Sequence, residues 1–374
     1  MKRLVAALLL LMPAAAHAAQ DEPRVPAFLC AVPQRLSAAP INEKKSLALL
    51  TSAARAYERG QFDVALRALQ GAYQQNPLPL TLYNMAQACR EAGRLRESLP
   101  LFERVLGTNP SPALRQDAER FAQDVRKKLA APDAARAAGH FGDQKYDDAI
   151  GAWQAAYATD PQPLYLFQMA QSQRLAGRPA QALPLYQRFV TEAPRHERRV
   201  EADGHLHRIQ AQEEAGRAAG HQASQRFGQA IAAWEAAYKL DPQPLFLFLV
   251  AETERLAGLR QEALGNYERF LKDAPTHPRS GEAQGHVKQL RAEAEDREAV
   301  RLYKGRQYRS ARAAWERAYA HVPDPPYLFQ IGQAARLGGQ SRDAEQSYQR
   351  FLAADPQSIQ AADAQGYIAA IKAE

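Results

Sequence analysis

Apolar residues recur along most of the chain at the spacing of one helix face. From Phe62 through Ala65, Leu69 and Ala72 to Tyr73, they return every third or fourth position. This period is typical of amphipathic helices that bury one face. Because Ala, Leu, Gln and Arg dominate and Val, Ile and Thr are few, the composition also favours helix over strand. We therefore predict an all-α protein.

The pattern returns four times at a fixed period. Similar segments begin at Tyr73, Tyr157, Tyr238 and Tyr319, at intervals of 84, 81 and 81 residues (73 to 157, 157 to 238, 238 to 319). Turn residues keep the same register, at Gly93, Gly177, Gly258 and Gly339 and at Pro110, Pro194, Pro275 and Pro356. A three-residue insertion around Pro132 accounts for the longer first interval. Self-similarity of this kind predicts stacked repeats, none of which can bury its apolar face alone.

Each repeat divides into two helical hairpins followed by a third helix. A small residue follows the turn of every hairpin, at Ala65, Ala149, Ala230 and Ala311 in the first hairpins and at Ser98, Ala182, Ala263 and Ala344 in the second. This arrangement resembles the tetratricopeptide repeat (TPR), a hairpin of roughly 34 residues. The resemblance covers roughly residues 46–356 and implies a right-handed helical solenoid with a concave groove for peptides. The third helix is similar to that of elongated TPR units in bacterial envelope-assembly proteins.

Six segments follow from this organisation. A signal peptide is predicted at 1–18 and a Pro-rich tail at 19–45. The four repeats occupy 46–129, 130–210, 211–291 and 292–374, and the last ends in a capping helix from Ser358 to Lys372. The first hairpins depart from the TPR pattern, since the turn residue Gly60 becomes Gln144, Gln225 and Arg306.

The N-terminus has the pattern of a secretory signal peptide. Lys2 and Arg3 precede an apolar run, and Ala16-His17-Ala18 provides the small residues that signal peptidase recognises. We expect cleavage after Ala18 and a periplasmic or secreted protein. The apolar run is shorter than the ~20 residues that a membrane span needs. Cys30 lies too far beyond it for a lipoprotein.

Charge argues against a nucleic-acid partner. The chain has 48 Lys and Arg against 41 Asp and Glu, a net charge of +7 that is spread throughout. Nucleic-acid proteins concentrate such charge on one face. The basic clusters Arg126-Lys127-Lys128 and Arg195, Arg198, Arg199 are interpreted as solvated faces, with contact to an anionic envelope surface as the alternative.

The sequence contains no recognisable catalytic motif, and we predict no enzyme activity, cofactor or metal site. His196-Glu197 begins like a zinc-protease helix, but Val200 stands where the second His belongs. His205 corresponds to Phe121, His286 and Tyr367 in the other repeats, so a packing role is expected there. The three tryptophans, Trp153, Trp234 and Trp315, share one repeat position. We predict that they are core residues, with a stacking ladder for sugars as the alternative.

A repeated stripe on the first helix of each second hairpin is the candidate ligand groove. Its members are Tyr83, Gln87, Arg90, Phe167, Gln171, Arg174, Phe248, Glu252, Arg255, Phe329, Gln333 and Arg336. Their i, i+4, i+7 spacing puts each trio on one face, and the TPR resemblance implies that this face lines the groove. Aromatic, amide and guanidinium groups suit a peptide backbone or carboxylate. The alternative is that the aromatics pack on a neighbouring helix and each Arg pairs with an acid.

Cys30 and Cys89 leave two interpretations open. Cys89 stands where the other repeats have Gln173, Glu254 and Ala335, so the repeat itself does not require sulfur there. An exported protein permits a disulfide that pins the tail to the first repeat. Two unrelated cysteines are the alternative, and the one that we favour from sequence alone.

The predicted function is non-catalytic binding of a protein or peptide partner by a monomeric scaffold outside the cytoplasm, in cell-envelope assembly. A glycan- or peptidoglycan-binding protein is the first alternative, which would require exposed aromatic rings beside carboxylates. An enzyme with an unrecognised site is the second, which would require paired acids that are not repeated from one unit to the next.

Overall fold

A computed structural model of the protein describes residues 26–33 and 40–373. Across these residues it has seventeen α-helices, one short 3₁₀ helix and no strand, which confirms the all-α prediction. None of the helices in this part of the chain is long and apolar enough to cross a membrane. The predicted signal peptide lies outside the described residues.

The 3₁₀ helix covers Ala27–Cys30, and the α-helices follow in chain order. They are α1 (Glu43–Glu58), α2 (Phe62–Gln75), α3 (Pro79–Glu91), α4 (Leu95–Leu106), α5 (Pro112–Gly142), α6 (Tyr146–Thr159), α7 (Pro163–Leu175), α8 (Pro179–Glu192), α9 (Arg199–Ala223), α10 (Phe227–Leu240), α11 (Pro244–Leu256), α12 (Arg260–Asp273), α13 (Ser280–Lys304), α14 (Tyr308–His321), α15 (Pro325–Leu337), α16 (Ser341–Ala354) and α17 (Ala361–Ala373).

The described residues form two compact units, which divide between Asp203 and Gly204. In the first unit, α5 packs against α4 at one end and α6 at the other. In the second unit, α13 bridges α12 and α14 in the same way. Each of these long helices therefore joins the third helix of one repeat to the first helix of the next. The repeat boundaries 129/130 and 291/292 thus fall inside continuous helices.

Local sequence explains where the hairpin helices begin. Second hairpins start with a proline at the first turn, at Pro79, Pro163, Pro244 and Pro325. Proline is tolerated there because the first turn of a helix needs no backbone N–H.

The turns within the hairpins require a left-handed backbone conformation. In second hairpins a glycine adopts it, for example Gly258 with φ 78°. In three of the first hairpins the same turn is made by Gln144 (φ 61°), Gln225 (φ 56°) and Arg306 (φ 59°). The loss of the glycine therefore changes the strain of the turn rather than its geometry.

The core consists of alanine, aliphatic and aromatic side chains contributed by every hairpin. Trp153, Trp234 and Trp315 are 7%, 6% and 2% exposed. Trp153 stacks on Tyr165 with ring centroids 5.6 Å apart, and Trp234 lies 6.2 Å from Phe246. The prediction that the tryptophans are core residues is confirmed.

Candidate binding surfaces

The aromatic members of the predicted groove stripe lie in the core. Phe167 and Phe248 are fully buried and Phe329 is 5% exposed. Phe167 packs against Tyr186 and Phe189, with ring centroids 5.8 and 5.3 Å apart. Tyr83, which is half-buried, packs on Phe102 and Phe121 in the same way. These rings do not offer a face to a ligand, which corrects the expectation of an aromatic wall.

The arginine of the stripe is bound internally in the third repeat. Arg255 donates a hydrogen bond from Nη2 to the carboxylate of Glu252 at 2.5 Å. The hydroxyl of Tyr267 donates to the other oxygen of the same carboxylate, also at 2.5 Å. His286, on α13, stacks on Tyr267 with ring centroids 5.2 Å apart. Burial opposes ionisation of Glu252, but the hydrogen bonds from Arg255 and Tyr267 outweigh it and lower the carboxyl pKa. The first half of α13 therefore covers this part of the stripe.

The first and last repeats show the same arrangement. Arg90 donates to Gln87 at 2.9 Å and lies over the ring of Phe121, 4.5 Å from its centroid. In the last repeat Arg336 donates to Gln333 at 3.1 Å and lies 4.4 Å from the centroid of Tyr367. Both rings belong to third helices. In the second repeat Gln171 donates to Glu201 at 3.0 Å.

The described contacts thus match the alternative interpretation, in which the stripe is the packing surface between a second hairpin and its third helix.

The ring position of the third helix is a packing position, as predicted. Phe121 stacks on Phe102, His286 on Tyr267 and Tyr367 on Tyr348, with centroids 6.1, 5.2 and 5.5 Å apart. In the part of the chain that the structure describes, no three His, Cys, Asp or Glu side chains are placed to hold a metal ion.

Cys30 and Cys89 are joined by a disulfide, with Cα atoms 5.8 Å apart. The sequence left this pairing open, and the structure shows the bridged alternative. Leu29 and Cys30 are buried at 2% and 1% exposure. This part of the predicted tail is therefore packed into the core of the first repeat.

A surface cavity of about 560 Å³ lies in the first compact unit, between α5 and the start of α7. It is lined by Arg120, Gln123, Asp124, Lys127, Asp160, Gln162, Pro163, Leu164, Tyr165 and His196. The residues of α5 follow the i, i+3, i+4, i+7 spacing of one helix face. The facing wall holds an amide, a phenol ring and the exposed side chain of Leu164. The cavity therefore combines a wall of mixed charge, which holds Arg120, Asp124 and Lys127, with a facing wall on which Asp160 lies beside apolar groups.

Most basic residues near this cavity are already paired. Arg126 lies 2.7 Å from Glu103, and Lys128 lies 3.0 Å from Asp124. Arg120 pairs with Asp117 at 2.8 Å across the helix surface. Lys127 makes no ion pair with any described residue. It is therefore a cation available to a ligand, in a cavity that also contains the buried carboxylate of Asp160.

The second basic cluster is only partly a solvated face. Arg198 pairs with Glu201 at 3.2 Å and lies over the buried ring of Phe167, 5.2 Å from its centroid. Arg199 lies 3.5 Å from Asp203. Sequence reasoning missed the cavity because its walls come from three separate segments, although the repeated Tyr165 position and the basic run around Lys127 were visible.

Comparison with known families identifies the repeat. The family model described as "Tetratricopeptide repeat" matches residues 50–114 and 297–359, and a second model of the same description matches 165–196. No curated protein matches the chain.

Solved structures similar to this chain include TPR proteins. One is the C-terminal part of a TPR repeat-containing protein from Cytophaga hutchinsonii, 14% identical, covering 75% of this chain and 98% of that one, with a TM-score of 0.26. Another is YrrB, described as a TPR protein with an unusual peptide-binding site, at 18% identity, 56% and 94% coverage and TM-score 0.23. PilW, described as a type IV pilus biogenesis factor, is 14% identical with 63% and 97% coverage and TM-score 0.23. At these TM-scores the similarities do not bear on function.

Proposed function

Since the chain is a tetratricopeptide-repeat protein, we propose that it is a non-catalytic scaffold that binds a protein partner outside the cytoplasm, in cell-envelope assembly. TPR proteins are in general interaction scaffolds rather than enzymes. The observation that supports binding here is the cavity between α5 and α7. It is open and large enough for a few residues of a peptide, and Lys127 brings an unneutralised charge to it.

The chemistry of the two walls specifies the kind of peptide. Gln123 and Gln162 can each donate to and accept from a peptide backbone. Leu164 and Tyr165 provide apolar contact, and Lys127 can pair with a carboxylate. We infer that the partner presents an extended segment with an acidic residue near an apolar one.

Export is supported by the signal-peptide pattern of residues 1–18 and by the disulfide, since disulfides persist in oxidising compartments. The burial of all three tryptophans removes the residues that a sugar-stacking ladder would use, so the glycan-binding alternative gains no support from them.

Photo-crosslinking in the native host tests the proposal. A photoreactive amino acid at Leu164 should yield a crosslinked partner of defined mass in the extracytoplasmic fraction. Leu245, at the equivalent position in the third repeat and similarly exposed (39% against 36%), is the matched control. The mature protein should begin at Ala19 in mass spectrometry.

Removing two cations from the α5 wall should weaken the crosslink. Arg120→Ala combined with Lys127→Ala should reduce it about tenfold, the effect of losing a charge-assisted contact. Arg67→Ala combined with Arg136→Ala removes the same charge from exposed positions of the same compact unit and should change nothing. A crosslink insensitive to the cavity variant would refute the binding site, and an intact Met1 on the mature pool would refute export.

A further inference from the structure

A segment of the chain itself occupies a groove in the first repeat. The stretch 26–33, including the 3₁₀ helix, packs against α2, α3 and α4. Gln70 on α2 donates to the carbonyl oxygen of Leu29 at 3.1 Å, and Cys30 is bonded to Cys89 on α3. The groove has the second helices of the two hairpins as its walls and α3 as its floor.

The docked segment buries the apolar residues of this groove. Leu66 on α2 and Leu101 on α4 are completely buried, and Tyr73 is 9% exposed. In the second repeat the equivalents of Leu101 and Tyr73, which are Leu185 and Tyr157, are only partly buried, whereas Ile150, the equivalent of Leu66, is buried there too. The first repeat therefore shows the groove with a short peptide segment bound.

The fourth repeat has the same groove, and there it is open. A cavity of about 320 Å³ lies between α14 and α16, over α15. Its lining consists of Arg312, Glu316, Tyr319, Ile331, Asp343, Gln346, Ser347 and Arg350. In repeat register Glu316 corresponds to Gln70, Tyr319 to Tyr73 and Ser347 to Leu101. The three helices are the counterparts of those that hold the docked segment.

The charge of this second groove differs from that of the first. Arg312 stands where the other repeats have Leu66, Ile150 and Ile231. It is neutralised within the groove, by Asp343 and by Glu316 at 3.2 Å. The remaining cation, Arg350, is exposed and lies over Tyr319, 5.3 Å from the ring centroid.

Arg350 lacks the acid that its counterparts in the second and third repeats have; the counterpart in the first repeat, Arg104, has Thr108 at that position. Arg188 pairs with Glu192 at 2.9 Å and Arg269 with Asp273 at 3.7 Å, each one helical turn onward. At that position the fourth repeat has Ala354. Among the described residues Arg350 forms no ion pair. Its guanidinium is oriented by Tyr319 and its charge is available to an incoming anion.

We propose that the α14–α16 groove binds a short segment of a partner protein that places an apolar side chain over Ile331 and a carboxylate on Arg350. The occupant is not the 26–33 segment of a second copy. That segment has no acidic residue between Pro26 and Pro33, and its own disulfide retains it in the first repeat. The site is separate from the α5–α7 cavity, so either proposal can fail alone.

A synthetic peptide can test the groove directly. The probe has the sequence of residues 26–33 with Cys30→Ser and Ala31→Asp, with blocked ends and a fluorophore, and a second peptide retains Ala31. Fluorescence anisotropy with the full-length, disulfide-bonded protein should show saturable binding of the acidic peptide, about tenfold tighter than the other. Hydrogen exchange should show protection in α14 and α16.

Two variants test the role of Arg350. Arg350→Ala should weaken binding of the acidic peptide about tenfold, and so should Ala354→Asp, which introduces the neutralising acid that the second and third repeats have. Both positions are exposed, so helicity should be unchanged. The control is Arg269→Ala, which changes the counterpart of Arg350 in the third repeat, where the arginine is already paired with an acid. It should change the affinity for the acidic peptide by no more than about twofold. The proposal would be overturned if the acidic peptide did not bind saturably or bound no more tightly than the other peptide. It would also be overturned if hydrogen exchange showed protection only outside α14 and α16, or if neither variant changed the affinity.

Discussion

The three tryptophans share one repeat position but differ in what the indole N–H can bond to. Trp315 donates to Asp296 at 2.8 Å. Trp234 donates to Gln222 at 3.4 Å, a long hydrogen bond. The Nε1 of Trp153 is buried and has no acceptor among the described residues. In repeat register the second repeat has Phe141 in place of Gln222 and Ala134 in place of Asp296, and neither side chain can accept a hydrogen bond. The same substitution at the three sites should therefore have different costs.

Replacing each tryptophan with Phe separates hydrogen bonding from packing. All three changes remove the same ring atoms from similarly buried positions, so the cavity cost is nearly common. Trp315→Phe also loses a bond to a carboxylate, which contributes about 1.5–3 kcal/mol. Trp153→Phe instead removes an unpaired buried donor, which relieves about 1–3 kcal/mol. Since Asp296 is half-buried and water can replace part of its lost bond, we expect a difference of about 2–4 kcal/mol between the two variants, with Trp234→Phe between them.

The measurement must resolve single repeats, because an array of repeats does not unfold in one cooperative step. Hydrogen exchange of α6, α10 and α14 reports the local opening free energy of each tryptophan's own helix. Urea unfolding followed by helicity gives the global effect. An equal loss at the three sites, or a larger loss for Trp153→Phe than for Trp315→Phe, would show that the hydrogen-bond assignment is wrong.

Two further predictions concern the turns and the acids of the third repeat. Gln225→Gly should raise the free energy of unfolding by about 0.5–1 kcal/mol, because the φ of 56° at this position suits glycine. Gly258→Ala should lower the free energy of unfolding for the same reason, and thermal melts of the two variants should shift in opposite directions. Burial, together with the charges of nearby acids, raises the pKa of Glu254. The folded protein therefore gains stability as pH falls through that raised value, and Glu254→Gln should remove the gain in urea midpoints measured against pH. The pKa of Glu252 is lowered, so its contribution is present at neutral pH and lost as pH falls below the ordinary glutamate range, a loss that Glu252→Gln should abolish.

The periodicity of the sequence was sufficient to predict the hairpins and the buried tryptophans. A side chain that recurs in register on an apolar helix face has to pack in every repeat, so its burial follows from the pattern alone. The merging of a third helix with the next first helix could also have been inferred for α13, since neither glycine nor proline occurs between Val287 and Lys304.

The stripe was harder to interpret because a helical face can be predicted without knowing what covers it. The spacing of Phe248, Glu252 and Arg255 puts them on one side of α11, and the structure agrees. What the pattern could not show is that α13 lies on that side, where its His286 contacts Tyr267 and Glu252. Coverage depends on how the third helix docks, which is a tertiary property. The α5–α7 cavity was unpredictable for the same reason.

Comparison of the repeats with one another separates packing from binding. Where all four repeats keep one residue type, as at the tyrosine of Tyr319, stacking of hairpins is a sufficient reason. A charge that appears in one repeat at an apolar position, as Arg312 does, costs stability unless a partner compensates it. Asp343 and Glu316 compensate Arg312 within the fourth repeat, so this charge does not itself require a ligand. The argument for a ligand rests instead on the groove and on Arg350. In the first repeat a segment of the chain covers the groove. In the fourth repeat the groove is open and Arg350 forms no ion pair with a described residue, which is why we propose an external ligand there.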